Sequence, residues 1–173
     1  MLHSVRKDTY PLTQPAPVRL GHVHLKVRDL PRAVRFYTEL LGATVTESVA
    51  DRYAFLSLGD AHHDIALQSV GASAAAPGER AVGLYHAAFE VADKPAFARA
   101  WRHVQSLGIP SGAVDHGISW ALYFDDPDGN GVEIYADTRG EPGGQREWHG
   151  VSRRLSAPEL EQLAHEPTKG NEP

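Results

Sequence analysis

The 173-residue chain contains no cysteine. That excludes a disulfide scaffold, a thiolate zinc site, an iron–sulfur cluster and a cysteine nucleophile. No apolar run approaches the roughly 20 residues that a membrane span requires. The opening stretch, MLHSVRKDTYPLTQPAPVRLG, lacks the apolar core of a signal peptide. Positive charge is not in excess either. Against 22 Asp and Glu stand 17 Lys and Arg, a net charge of −5, so no basic face is available for a phosphate backbone. These absences speak against nucleic-acid and membrane partners and make the cytoplasm the expected location. What is plentiful is histidine, with ten residues. Without thiols, imidazole and carboxylate are the transition-metal ligands left to the chain. Hydrophobic residues at 42% and charged residues at 23% are ordinary for a folded domain.

The first strong pattern is LGHVHLKV from Leu20. Val23, Leu25 and Val27 alternate with His22, His24 and Lys26, as in a half-buried strand. Asp29 then offers a helix N-cap and Pro31 suits the first turn. Leu30, Val34, Tyr37 and Leu41 repeat at helical spacing, and Gly42 ends the helix as a left-handed cap. Strands are expected at Thr44–Val49, Tyr53–Leu58 and Asp64–Ser69. After a small, polar loop (GASAAAPGER) the order returns. LYHAAFEV reads as a strand, Asp93 as an N-cap, and Phe97, Trp101 and Val104 as a helical stripe that stops at Leu107-Gly108. Strands are expected at Ser111–Val114, Trp120–Phe124 and Val132–Tyr135. His22 and His86, Val27 and Val91, and Asp29 and Asp93 correspond at one constant shift along the chain. Such a repeat means that neither copy buries its apolar face alone. The expected fold is α+β: two four-stranded curved sheets side by side, forming a cup with helices outside. The expected organisation is an arm over 1–18 and one domain over 19–138. That domain divides into a module over 19–70, a linker over 71–81 and a second module over 82–138. A tail over 139–173 follows, with a short helix near 157–164, where Ser156 and Glu159 have capping-box spacing, and then a frayed end.

The repeat brings chemistry with it. His22 and His86 occupy equivalent positions, one per half, and a pseudo-twofold would make them converge. Glu133 stands in the middle of an otherwise apolar strand in DPDGNGVEIY. A carboxylate there is costly unless it is paired or metal-bound. Two imidazoles and one carboxylate on three strands form the donor set of non-haem Fe(II) sites. The alternative is that both histidines are hydrogen-bonded core residues and Glu133 faces solvent.

HVHLKVRDLPRAVRFYTELLG, its partner HAAFEVAD and the closing DPDGNGVEIY resemble the vicinal oxygen chelate superfamily over about Arg19 to Thr138. The resemblance implies paired βαβββ modules that build a metal cup. Three features resemble its type I extradiol branch, the ring-cleaving catechol dioxygenases. AHHDIAL is similar to the segment that carries their acid–base histidine, which matches His63, with His62 as the alternate. DHGISWALYFDDPDGNGVEIY resembles their closing segment and carries His116 and Tyr123 ahead of Glu133. The first-module counterpart of Glu133 is Ala66, which leaves a three-ligand site where glyoxalase I has a fourth donor.

The resemblance implies a metal held by His22, His86 and Glu133. That metal would be Fe(II), with Mn(II) as the alternative and O₂ as co-substrate. His63 would act as acid–base, and Tyr123 and His116 would hydrogen-bond a catechol substrate. His24 and His62 are candidate pocket residues. Arg52, Arg80 and Arg139 are the arginines that could receive a substrate carboxylate, and Asp125, Asp126 and Asp128 read as turn-formers. A homodimer or higher homo-oligomer is expected from the family and from symmetry statistics. Two rivals share the fold: a fosfomycin-type thiol transferase with the same donors, and a small-molecule binding protein without catalytic metal.

Overall fold

The computed structural model describes residues 19–76, 78 and 80–168. The expected N-terminal arm and frayed C-terminal end lie outside these residues. Two βαβββ units follow one another. The first is β1 (Val23–Val27), α1 (Leu30–Leu41), β2 (Thr44–Val49), β3 (Tyr53–Ser57) and β4 (Ile65–Ser69). The second is β5 (Ala87–Val91), α2 (Lys94–Ser106), β6 (Gly112–Asp115), β7 (Ser119–Asp125) and β8 (Gly131–Asp137). A two-residue strand β9 (Arg153–Arg154) and the helix α3 (Ala157–Leu163) are the last elements among the described residues.

Local chemistry sets the helix ends. The Asp29 carboxylate accepts from Arg32 N at 2.9 Å, and Asp93 does the same for Ala96 N at 2.8 Å. Each cap satisfies a donor that the first turn leaves free. Gly42 stops α1 at φ 67, the left-handed conformation that a side chain disfavours. Ser156 and Glu159 form the anticipated capping box of α3.

Both sheets are mixed. The first runs β1-β4-β3-β2 and the second β5-β8-β7-β6-β9, with β1 parallel to β4, β5 parallel to β8, and the other neighbours antiparallel. The second sheet thus has five strands rather than the expected four. β9 escaped the sequence because two exposed arginines carry no strand pattern.

Alternation divides each sheet into two faces. Leu25, Val27, Ala54, Leu56, Ile65 and Leu67 bury one face against Leu30, Ala33, Tyr37 and Leu40 of α1. In the second unit Phe97 and Val104 of α2 meet Trp120, Leu122 and Ile134, with the Phe97 and Trp120 rings edge-to-face at 5.8 Å. These side chains belong to one continuous core. Full burial of each large one is worth about 1.5–3 kcal/mol. The opposite faces carry polar side chains, His24 of β1 and Glu133 of β8 among them. Among the described residues no helix is long and apolar enough to cross a membrane.

Candidate metal centre

The two repeat histidines sit just ahead of edge strands. β1 begins at Val23 and β5 at Ala87, so His22 and His86 precede their strands rather than lying within them. Both line one cleft between these edges, together with Leu20, Leu58, Leu84 and Phe89. The register makes Ala66 and Glu133 true counterparts. His24 pairs with Ala66 across β1 and β4, and Ala88 pairs with Glu133 across β5 and β8.

Glu133 is only 8% exposed, between the buried Val132 and Ile134. Its Oε2 lies 2.7 Å from His86 Nε2. A glycine permits this approach. A Cβ on Gly131 would stand 2.1 Å from Tyr85 O, so the start of β8 can meet the 85–86 backbone only without a side chain. His86 Nδ1 is buried with no hydrogen-bond partner among the described residues.

Tyr123 pairs with Glu133 across β7 and β8. Burial, and then the Glu133 carboxylate against its hydroxyl, push the Tyr123 phenol up to about 12. His116 Nε2 is 3.0 Å from that hydroxyl, and its Nδ1 is 2.7 Å from Ser152 Oγ. The indole of Trp148 stands edge-on to the His116 ring at 5.7 Å. A continuous array therefore runs from His86 through Glu133, Tyr123 and His116 to Ser152.

The first unit supplies the facing side. His63 is half-buried, with its ring 4.5 Å from His22 and 5.0 Å from Phe55. Burial, and then the imidazoles of His22 and His62, hold His63 below the ordinary histidine value. His62 points outward, its Nε2 3.3 Å from Glu47 Oε2. Strict alternation would have put His62 on the face of Ala66, but residues 59–64 form a loop ahead of β4, where alternation does not apply. His24 lies exposed on the polar face, edge-on to Tyr53 at 6.3 Å.

The structure thus brings together His86, Glu133, Tyr123 and His116 on one side, and His22 and His63 on the other. Among the described residues no three His, Asp or Glu donors close on a common point. His86 and Glu133 are in contact, while His22 borders the same cleft from β1 and packs on His63 instead. The donor chemistry fits a divalent first-row metal. A buried carboxylate beside an imidazole needs a proton or a cation between them, and the N, N, O set suits Fe(II) or Mn(II). Sequence reasoning missed Glu47, Gly131, Trp148 and Ser152. Of these only the Gly131 of an N-G turn signal carried a local hint. Of the three arginines considered for a substrate carboxylate, Arg139 is tied to Asp137, and Arg52 stands over the Tyr53 ring at 5.7 Å.

Two βαβββ units that share one core and open a histidine-lined cleft define a protein built on paired βαβββ modules. Residues 19–134 match the Glyoxalase/Bleomycin resistance protein/Dioxygenase superfamily, and the chain belongs to it. It is 33% identical over 134 residues to a catechol-2,3-dioxygenase of Bacillus subtilis (strain 168), an overlap of 78% of this chain and 44% of that protein. It is 35% identical over 129 residues to biphenyl-2,3-diol 1,2-dioxygenase 3 of Rhodococcus globerulus, covering 72% of this chain and 66% of the relative. The chain therefore spans less than two thirds of the length of either. Among solved structures, the fosfomycin resistance protein FosX of Mesorhizobium loti superposes with a TM-score of 0.55 at 25% identity, over 71% of this chain and 95% of that one.

Proposed function

We propose that the chain is a non-haem Fe(II)-dependent extradiol dioxygenase, with Mn(II) as the alternative metal, that cleaves the ring of a catechol-type substrate with O₂. The observation that carries this reading is the array His86–Glu133–Tyr123–His116, whose His86 lines one cleft with His22, the histidine on which His63 packs. The dioxygenase names of the curated relatives support it. His22, His86 and Glu133 would hold the metal. When bound, Fe(II) supplies a Lewis-acidic, redox-active centre at which the catechol oxygens and O₂ are brought together.

The chain's own residues do the rest. His63 accepts a proton from a catechol hydroxyl and returns one as the ring opens. The Tyr123 hydroxyl donates to a substrate oxygen, and His116, anchored by Ser152, holds that hydroxyl in place. The apolar side chains of Leu20, Leu58, Leu84 and Phe89 along the cleft receive the ring.

O₂ uptake and absorbance on mixing anaerobically Fe(II)-loaded protein with substituted catechols test the reading. The expected result is stoichiometric O₂ loss with a yellow ring-opened product, and loss of bound iron and activity together in Glu133→Gln. Iron bound but no O₂ consumed across the panel would sink it. The second reading is a metal-dependent fosfomycin-type thiol transferase, for which the likeness in fold to a fosfomycin resistance protein speaks. Thiol addition to an epoxide without O₂ consumption would establish that, but it leaves the placement of His63 and His116 unused.

A further inference from the structure

We infer that Glu47 and His62 form a positioning pair behind His63, fixing its imidazole with the proton on Nδ1 and leaving Nε2 bare. The inference rests on the reading of His63 as the acid–base residue. It begins with β2, a strand that buries none of its six residues. β2 carries a bulge between Val45 and Glu47. Val45 pairs with Leu56, so an unbulged strand would set Glu47 opposite Ala54, on the face buried against α1. The extra residue, Thr46, sets Glu47 opposite Phe55 instead. A one-residue slip exchanges the two faces of a strand, and bulges re-aim side chains in this way. The Phe55 face is the one on which His62 and His63 lie, their ring centroids 5.9 and 5.0 Å from the phenyl ring. The Thr46 hydroxyl also donates to His62 O at 2.7 Å, with Phe55 O 3.2 Å away, which ties the histidine loop to the bulge.

The side chains then form a line. Glu47 Oε2 is 3.3 Å from His62 Nε2, and His62 Nδ1 is 2.9 Å from His63 Nδ1. The nearby Asp64 carboxylate is engaged elsewhere, accepting from Leu58 N at 2.7 Å. A carboxylate only accepts, so a neutral His62 carries its proton on Nε2, towards Glu47. Its Nδ1 is then a lone pair, and the proton between the two rings must come from His63 Nδ1. That leaves His63 Nε2 as the basic nitrogen, the form a proton acceptor needs. The hydrogen bond at one ring nitrogen sets the state of the other.

The test is the tautomer itself, read from imidazole nitrogen NMR shifts of the metal-free full chain at about pH 8.5, two units above the ordinary histidine value. Wild type is expected to show His63 protonated on Nδ1. His62→Phe, which keeps an aromatic ring beside Phe55, and Glu47→Ala should both shift it towards protonation on Nε2. Both positions are more than half exposed, so unchanged thermal midpoints are expected and serve as the folding control. In the Fe(II)-loaded enzyme the same variants should lose about 10- to 100-fold in kcat, with KM for catechol and metal affinity unchanged. A wild-type His63 protonated on Nε2, or a tautomer that neither variant moves, overturns the inference. The assigned tautomer in a protein that turns over no catechol would leave the positioning pair standing and remove the dioxygenase reading alone.

Discussion

At the residue scale, the contact between His86 and Glu133 depends on an atom that is absent. A Cβ on Gly131 would lie 2.1 Å from Tyr85 O, and the atom it meets is backbone, which cannot rotate away. Gly131→Ala should therefore move the 85–86 segment off β8 and part the two donors. The expected outcome is a loss of about 1–3 kcal/mol in stability and at least a tenfold weaker affinity for Fe(II) or Mn(II), read by denaturant unfolding and by metal titration of the same sample. Wild-type affinity in the variant would show that the close approach has no part in holding the metal. His22 and His86 were legible in the sequence because the repeat marks them twice, and Glu133 because a charge interrupts an apolar strand. His63 was not separable from His62 by pattern, since both lie in the loop ahead of β4 and only the fold turns one towards His22. Glu47 was illegible for a related reason: its direction depends on a bulge, and Thr46 looks like any other strand threonine until β3 is beside it.

At the element scale, the turn between β7 and β8 does more than reverse the chain. Asp126 Oδ1 accepts from Asp128 N and Asn130 N at 2.8 and 2.9 Å, the turn chemistry that DPDGN announces. The turn also reaches into the first unit. Arg28 Nε and an Arg32 guanidinium nitrogen both donate to Asp128 Oδ1, at 2.8 and 2.7 Å, and the buried Tyr37 hydroxyl donates to Asp126 Oδ2 at 3.1 Å. Turn residues can be read from one segment of sequence, but a clamp whose partners stand about a hundred positions away cannot. Burial alone would raise the Asp128 carboxyl, but the Arg28 and Arg32 hydrogen bonds outweigh it and hold the group below its ordinary 3.8. A carboxyl lowered in the folded state contributes stability above its unfolded value and loses it as pH falls through the folded one. Asp128→Asn should therefore cost about 1–3 kcal/mol at pH 7, and its deficit against wild type should shrink as pH drops below 3.8. Urea unfolding of both proteins across that range checks the sign. A deficit that stays constant at low pH would mean that the charge of Asp128 is not what clamps the turn.

At the scale of the whole molecule, the proposed metal donors are divided between the two units, and among the described residues the sheets do not pair with each other: the first ends at β1 and the second at β5. The shared core and the Asp126–Asp128 clamp hold the units together, and the cleft between the edge strands is where a bound ion would add a third link. An ion that binds the folded state alone stabilises it by about 2.7 kcal/mol at a hundred times its Kd, which for a chain of this size is a rise of about 5–10 °C in thermal midpoint. The division of donors makes the effect divisible. His86 and Glu133 are already in contact, so His22→Ala should leave a two-donor site that binds metal more weakly, keeping part of the thermal shift. Glu133→Gln removes the buried charge and should abolish the shift altogether. Thermal unfolding with and without Fe(II) or Mn(II) in wild type and both variants reads all of this without any substrate. If His22→Ala keeps the full shift, the first unit contributes no ligand, and the ion belongs to the second unit alone. If the shift falls in both variants in the expected order, His22 completes the site across the cleft, and metal binding is then the event that draws the β1 and β5 edges together.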